Sequence, residues 1–162
     1  MAFSKIGIIG TGVIGEALIE VLLRSGLSKD SLFISEKRGE RRDEIIKKYG
    51  VKELSQQVLL DAILIAVKPQ DFLTTIKELP SSATDSALIV SFAAGIRIKA
   101  IEDNLSKGSR VIRVMPNTPM VMGSGMSAIS LGNNATSIDQ EWVKGFLAKA
   151  SEVIVIDEKL QD

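Results

Sequence analysis

The sequence predicts an α/β domain of the doubly wound kind, in which a mostly parallel sheet carries helices on both faces. Two observations predict it. Short apolar runs alternate with amphipathic, helix-like segments along the 162-residue chain, a pattern typical of βαβ units and a parallel sheet. The first apolar run also leads into three glycines spaced G-x-G-x-x-G, and an amphipathic helix pattern follows them. We therefore expect residues 1–162 to form one domain, as their number suggests.

The stretch Lys5–Gly15, reading KIGIIGTGVIG, organises the rest of the chain. In such a motif Gly10 permits the tight turn, Gly12 lets the backbone approach a pyrophosphate, and Gly15 allows the helix to lie close on the strand. The phosphates would lie at the helix N-terminus, where free N–H groups and the helix dipole favour an anion. The context is typical of a Rossmann-type dinucleotide site, although a strand-to-helix turn without a ligand has the same spacing.

The other elements follow from apolar spacing and from turn residues. After a first strand at 6–9, strands are predicted at 32–35, 51–53, 62–67, 87–91, 110–114, 128–131 and 153–156. Helices are predicted at 16–23, 38–49, 69–79, 96–105 and 138–150, with a helical turn between Ser55 and Leu60. Gly26 is expected as a left-handed cap of the first helix, Gly50 closes the second, and Pro69 suits the first turn of the third.

Composition excludes several classes of function. Twenty basic and twenty acidic residues cancel, so nothing global favours nucleic acid or an anionic membrane. No apolar run approaches the ~20 residues of a membrane span, and the first residues lack the features of a signal peptide. The chain has no cysteine, which agrees with a cytoplasmic location. It also has no histidine, which removes the commonest general base and transition-metal ligand, and no metal site is expected.

Ligands of an open α/β sheet lie outside the carboxyl ends of the strands, where the strand order reverses. This rule selects five loops in this chain. They are residues 10–14, 35–38, 66–69, 93–95 and 116–118. Five loops that meet at one crevice make a better candidate site than any single motif.

The loop after the second strand is expected to select the cofactor. An acidic residue about 20 positions past the glycines often binds the ribose of NAD, whereas basic residues suit the phosphate of NADP. Glu36 occupies the acidic position, but Ser35, Lys37 and Arg38 surround it. Because a guanidinium clamps phosphate with two parallel hydrogen bonds, NADP(H) is favoured and NAD(H) stays possible. In this interpretation Glu36 points to solvent.

Several residues of these loops also have plainer interpretations. Arg41 and Arg42 are expected to be only the solvated face of a helix start, an interpretation we do not extend to Arg38. Lys68 either contacts the cofactor at the crevice mouth or is an ordinary surface lysine. Ala94 would let a flat nicotinamide ring lie near the backbone, although a simple turn at 93–95 is also possible. Asn117 either has a role in the site or only stabilises a loop between two prolines.

Four segments together resemble the pyrroline-5-carboxylate reductase family. They are IGTGVIG at 9–15, AVKPQ at 66–70, SFAAG at 91–95 and RVMPNTP at 113–119, and the likeness extends to about residue 157. The resemblance implies that residues 9–14 hold the pyrophosphate, that Ser35 and its neighbours hold the adenosine phosphate, and that 66–69 and 94 line the path to the nicotinamide. The predicted cofactor-binding residues are Ile9, Gly10, Thr11, Gly12, Val13, Ile14, Ser35, Lys37, Arg38, Ala66, Val67, Lys68, Pro69, Ala94 and Asn117.

The resemblance also implies an activity, the NAD(P)H-dependent reduction of the cyclic imine pyrroline-5-carboxylate to L-proline, the last step of proline biosynthesis. Chains of that family continue into a helical domain that forms the dimer and much of the imine site. We expect such a domain after residue 162, so the catalytic residues are not assigned, and a homo-oligomer is expected of the full-length form. The chain by itself is expected to bind nucleotide and to turn over little imine. A cofactor-contacting asparagine of the family has no secure equivalent near 55–57.

The missing histidine agrees with imine chemistry. Dehydrogenation of an alcohol normally needs a base for the hydroxyl proton, whereas a protonated imine mainly needs to be oriented toward the hydride. Two alternatives remain open at this point. One is another NADP-linked reductase with a related first domain, using a deazaflavin or a hydroxy acid. The other is a regulatory domain that senses NAD(H) without chemistry.

Overall fold

A computed structural model describes residues 3–161, in which eight strands form one sheet. The strand order is β3-β2-β1-β4-β5-β6-β7-β8, and every neighbouring pair is parallel except β6 with β7. This arrangement confirms the predicted fold class. The strands are β1 (Ile6–Ile9), β2 (Leu32–Ser35), β3 (Lys52–Glu53), β4 (Ala62–Ile65), β5 (Leu88–Ser91), β6 (Arg110–Pro116), β7 (Gly125–Leu131) and β8 (Ser151–Val155).

Six α-helices connect these strands in the part of the chain that the structure describes. Gly26 and Gly50 follow the first two helices with φ of +99° and +68°. The predicted left-handed position at Gly26 is confirmed, and Gly50 closes the second helix as predicted. None of the helices between residues 3 and 161 is long and apolar enough to cross a membrane. The helices are α1 (Val13–Arg24), α2 (Gly39–Tyr49), α3 (Pro69–Glu78), α4 (Ser81–Thr84), α5 (Ile98–Glu102) and α6 (Ser137–Leu147), with 3₁₀ turns at Lys29–Ser31, Thr118–Met122 and Glu158–Leu160.

Apolar side chains cover both faces of the sheet, because successive residues of a strand point to opposite sides. On one face Leu64 of β4 packs in a cluster with Leu18 of α1 and Phe146 of α6. On the other face Ile63 packs in a second cluster with Phe72 of α3 and Ile101 of α5. The central strands are therefore buried on both sides, as their continuous apolar sequences require.

Three predicted elements differ most from the structure, while the ends of the other elements shift by up to three residues. Residues 55–60 form no helix; one hydrogen bond from the Val58 N–H to the Ser55 carbonyl closes a turn, and Leu60 is buried against Gly7. Helix α5 is shorter than the predicted 96–105, since Arg97 is its extended N-cap. The seventh strand is longer than predicted and runs antiparallel to β6, because a compact 3₁₀ turn at 118–122 folds the chain back on itself.

The segment after β8 is fastened to the sheet by polar contacts. The Glu158 carboxylate accepts a hydrogen bond from the Ile98 N–H at 2.7 Å, at the start of α5, and pairs with Arg113 of β6 at 3.2 Å. Arg113 is fully buried. The side-chain amide of Gln161 donates to the Ser130 hydroxyl at 2.8 Å. Glu158 thus satisfies an orphan donor of a helix that has no capping side chain of its own.

We predict that Glu158→Ala lowers the free energy of unfolding by about 1–3 kcal/mol, because it removes an acceptor from a helix N-terminus and one partner from a buried guanidinium. Urea denaturation of the purified chain measures this change. Lys159→Ala, at a neighbouring exposed position, is the matched control and should leave the transition within about 0.5 kcal/mol. Equal transitions for the two variants would contradict the assigned role of Glu158.

Candidate cofactor-binding site

The glycine turn after β1 is compact because two of its glycines have no room for a side chain. Gly10 has φ of +88°, and its N–H donates to the Ser35 carbonyl of β2 at 2.9 Å. A Cβ at Gly15 would lie 2.0 Å from the Gly10 carbonyl oxygen. A Cβ at Gly12, in contrast, would meet no described atom within 4 Å. The turn is therefore packed on its inner side and open at Gly12, where a ligand would approach.

Helix α1 starts at this open side. Gly12 is its N-cap and supplies no side chain to the first N–H groups, which have no partner within the helix. Glu16 lies in the first turn, and hydrogen bonds from Lys48, Arg41 and Tyr49 hold its pKa at about 2, below the ordinary 4.5. Because the Lys48 and Arg41 cations balance the Glu16 charge, the helix start keeps its preference for an anion.

Glu36 does not point to solvent, contrary to the sequence-based expectation. Its Oε2 accepts hydrogen bonds from the Thr11 N–H at 3.0 Å and the Thr11 hydroxyl at 2.8 Å, and its side chain is only 8% exposed. Burial raises the pKa of Glu36, but hydrogen bonds from Arg38 and Thr11 outweigh this and bring it down to about 2. The reason for the inward orientation is the pairing of β1 with β2, which places the ends of the two strands side by side.

Arg41 is also more than part of a solvated helix face, which corrects the second expectation for this loop. Its Nε donates to the Thr11 carbonyl at 2.9 Å, and its guanidinium pairs with Glu16. The Thr11 backbone is therefore held at both polar groups, its N–H by Glu36 and its carbonyl by Arg41. Arg42 pairs with Asp43 on its own helix and with Glu53 of β3 at 3.4 Å.

Lys37 and Arg38 form the exposed cationic part of the same loop. Their side chains are 76% and 65% exposed. Lys37 pairs with Glu78 of α3 at 3.5 Å, and Arg38 is the N-cap of α2. Ser35 lies beside them as the last residue of β2. A phosphate at this position would meet two cations and the N-terminus of an 11-residue helix.

The loops after β4 and β5 lie at the same edge of the sheet as the glycine turn. The Ala66 N–H donates to the Ile9 carbonyl at 2.8 Å, and the Phe92 N–H donates to the Ile65 carbonyl at 3.0 Å. Lys68 is exposed as the N-cap of α3, whose first residue is Pro69. Ala94 is exposed as well. The structure therefore brings residues 9–14, 35–38, 66–69 and 94 to one edge, as the sequence predicts for a crevice.

Asn117 lies farther along this edge. It follows β6, three strands from β1 and thus roughly 14 Å away at about 4.8 Å per strand. Its Oδ1 accepts from the Met126 N–H at 2.8 Å, and its own N–H donates to the Met126 carbonyl at 3.0 Å. A groove of about 610 Å³ begins here and is lined by Gly125, Ser151 and Glu152. Since β7 and β8 form this groove, it is separate from the glycine turn.

Comparison with known proteins identifies the class of protein. Residues 5–95 match the family described as NADP oxidoreductase, coenzyme F420-dependent, and the chain belongs to that family. This result agrees with a glycine turn that is open at Gly12, at the edge of a doubly wound sheet.

Individual relatives are pyrroline-5-carboxylate reductases, which confirms the resemblance predicted from the sequence. The enzyme from Corynebacterium melassecola is 32% identical over 162 residues, covering 96% of this chain and 60% of that protein. The solved enzyme from Coxiella burnetii has a TM-score of 0.89 at 22% identity. The enzyme from Plasmodium falciparum, solved with NADP bound, has a TM-score of 0.80 at 24% identity. Each alignment covers 98% of this chain and 60% of the solved chain. The chain thus spans about 60% of the length of these relatives.

We predict opposite outcomes for alanine at two glycines of the turn. Gly15→Ala should destabilise the fold by about 3 kcal/mol or more, because its methyl group overlaps the Gly10 carbonyl. Gly12→Ala should keep the melting temperature within a few degrees, since its methyl group meets open space, but should lower nucleotide affinity at least about tenfold by blocking close approach. Thermal unfolding and fluorescence titration with NADPH measure the two effects. Full nucleotide affinity in Gly12→Ala would contradict a pyrophosphate position at this turn.

Proposed function

We propose that this chain is the cofactor-binding part of an NADPH-dependent pyrroline-5-carboxylate reductase, which reduces the cyclic imine to L-proline. The observation that carries the proposal is the open Gly12 position between two packed glycines, at the N-terminus of α1. The similarity to pyrroline-5-carboxylate reductases over nearly the whole chain supports the choice of substrate. A cytoplasmic location is part of the proposal and rests on the absence of cysteine.

The proposed nucleotide runs along the edge of the sheet. Its pyrophosphate is held by the backbone of residues 9–14, and its adenosine phosphate by Ser35, Lys37 and Arg38. Its nicotinamide lies toward residues 66–69, with Ala94 and Asn117 farther along the same edge. The hydrogen bond from the Ala66 N–H to the Ile9 carbonyl supports this path, because it places the β4 loop directly beside the glycine turn.

The hydrogen bonds that Glu36 already accepts support the preference for NADPH. In NAD-binding sites an acid at this position accepts hydrogen bonds from ribose hydroxyls. Both Glu36 oxygens already accept bonds from Thr11 or Arg38, whereas Lys37 and Arg38 are exposed to an incoming phosphate. The related Plasmodium falciparum enzyme was solved with NADP bound.

The contribution of the chain to the chemistry is orientation. When bound, a reduced nicotinamide would supply the hydride to the imine carbon, and the protonated imine nitrogen would already carry the proton of the product amine. The chain has no histidine to act as a base, and an already protonated imine needs none. Its loops fix the distance and angle of the transfer, and this positioning can supply much of the rate.

The imine site and the oligomer are proposed to belong to a domain that follows this one. The chain spans about 60% of its relatives, which leaves room for such a domain. The full-length form is proposed to be a homo-oligomer through that domain. The family description favours one alternative substrate class, a deazaflavin coenzyme. Assays of hydride transfer to both acceptors with a full-length form would separate the two.

Fluorescence titration with NADPH and NADH tests the proposed cofactor. Lys37→Ala/Arg38→Ala should raise the Kd for NADPH by about 10- to 100-fold, as expected for lost hydrogen bonds to a charged group, and should change the Kd for NADH by less than about threefold. The matched control is Lys77→Ala/Lys107→Ala, which removes the same charge from exposed positions outside these loops. The purified chain should form almost no proline from the imine. Unchanged NADPH affinity in the first variant, or rapid turnover by the chain alone, would contradict the proposal.

A further inference from the structure

The pair Glu36–Arg38 lies where the adenosine end of the proposed nucleotide would bind. Glu36 Oε1 accepts from the Arg38 backbone N–H at 3.0 Å and from its Nε at 3.1 Å. Glu36 Oε2 accepts from the Thr11 N–H and hydroxyl and from Arg38 Nη2 at 3.3 Å. A carboxylate offers about four lone-pair sites, so this one is fully used by the protein itself. A ribose hydroxyl finds no acceptor there while Arg38 stays in place.

The two partners differ in their freedom to move. The Glu36 side chain is 8% exposed and is held by Thr11, which is fully buried. The Arg38 side chain is 65% exposed, and its guanidinium is bound to Glu36 at the surface of the loop. Arg38 can therefore turn outward by rotation of its side chain, whereas Glu36 cannot leave without breaking the contact that fixes the glycine turn.

We propose that Glu36 competes with the 2′-phosphate of the nucleotide for the Arg38 guanidinium, and that this competition sets the ratio of NADPH to NADH affinity. The inference rests on the proposed function and adds a specificity-determining residue to it. When phosphate binds, Arg38 exchanges a carboxylate for a phosphate, and Glu36 keeps its two bonds to Thr11. When NADH binds, no group replaces the carboxylate, and Arg38 continues to shield Glu36 from the ribose.

The competition makes two single substitutions act in opposite directions. Glu36→Gln keeps an acceptor oxygen for Thr11 and removes the charge that holds Arg38, so the Kd for NADPH should fall about two- to fivefold, the range for a partly exposed ion pair. Arg38→Ala removes the phosphate partner and frees one acceptor position of Oε1 for a ribose hydroxyl, while the backbone N–H of residue 38 keeps the other. The Kd for NADPH should then rise about tenfold or more, while the Kd for NADH stays equal or falls.

A double-mutant cycle distinguishes competition through Arg38 from direct repulsion between Glu36 and the phosphate. If Glu36 acts through Arg38, the gain from Glu36→Gln disappears in the Arg38→Ala background. If Glu36 repels the phosphate directly, the same gain persists there, and the proposal is overturned. Arg38→Lys is a second variant for the same test, because lysine keeps the positive charge but loses the bidentate hydrogen bonding of the guanidinium. Arg42→Ala, which removes a neighbouring guanidinium that pairs with Asp43 and Glu53, is the control and should leave both constants unchanged.

The outcomes separate this inference from the proposed function. Binding of NADPH by the unmodified chain, together with additive effects in the cycle, would overturn the competition and leave the cofactor assignment in place. Failure of the unmodified chain to bind either nucleotide would overturn both. Thermal unfolding of every variant accompanies the titrations, and Glu36→Gln should melt within a few degrees of the unmodified chain, because its amide oxygen still accepts from Thr11. A tighter Kd for NADPH in Glu36→Gln alone, lost in the double variant, is the expected result.

Discussion

The close approach of Gly15 to the Gly10 carbonyl is the contact on which the rest of the site depends. With 2.0 Å between a hypothetical Gly15 Cβ and that oxygen, only glycine allows α1 to start directly over the end of β1. The helix N-terminus then faces the sheet edge without a side-chain cap. In the proposed complex, a bound diphosphate would supply the acceptors that this helix end does not receive from the described chain.

The sheet topology extends the site from this contact. Strand β1 has β2 on one side and β4 on the other. The strand order therefore reverses at β1, and in open α/β sheets such a reversal leaves a crevice at the carboxyl ends of the strands. The β2 side supplies an acid and two exposed cations at 36–38, and the β4 side supplies residues 66–69. In the proposed function, the local charge at these loop ends, and not the overall charge of zero, selects the nucleotide.

The sequence predicts the fold and the five loops because both depend on local patterns: apolar runs, glycine spacing and turn residues. It predicts less well where a contact joins distant residues. Glu36 accepts from Thr11, 25 positions earlier, and Arg41 donates to the same residue from 30 positions later. Neither periodicity nor motif spacing gives the direction of such side chains. The contact of Glu158 with the start of α5 likewise joins residues that are distant in the sequence. Residues 55–60 were predicted as a helical turn from a capping serine alone, whereas burial of Leu60 against β1 decides their path.

Backbone amide chemical shifts, followed by NMR during titration with NADP⁺, test whether the pyrophosphate binds at the glycine turn. We expect the largest changes at residues 12–14, whose N–H groups would meet the pyrophosphate, with smaller changes at residues 36–39 and 66–68. Changes confined to residues 117 and 123–126, around the groove between β7 and β8, with the glycine turn unaffected, would contradict it.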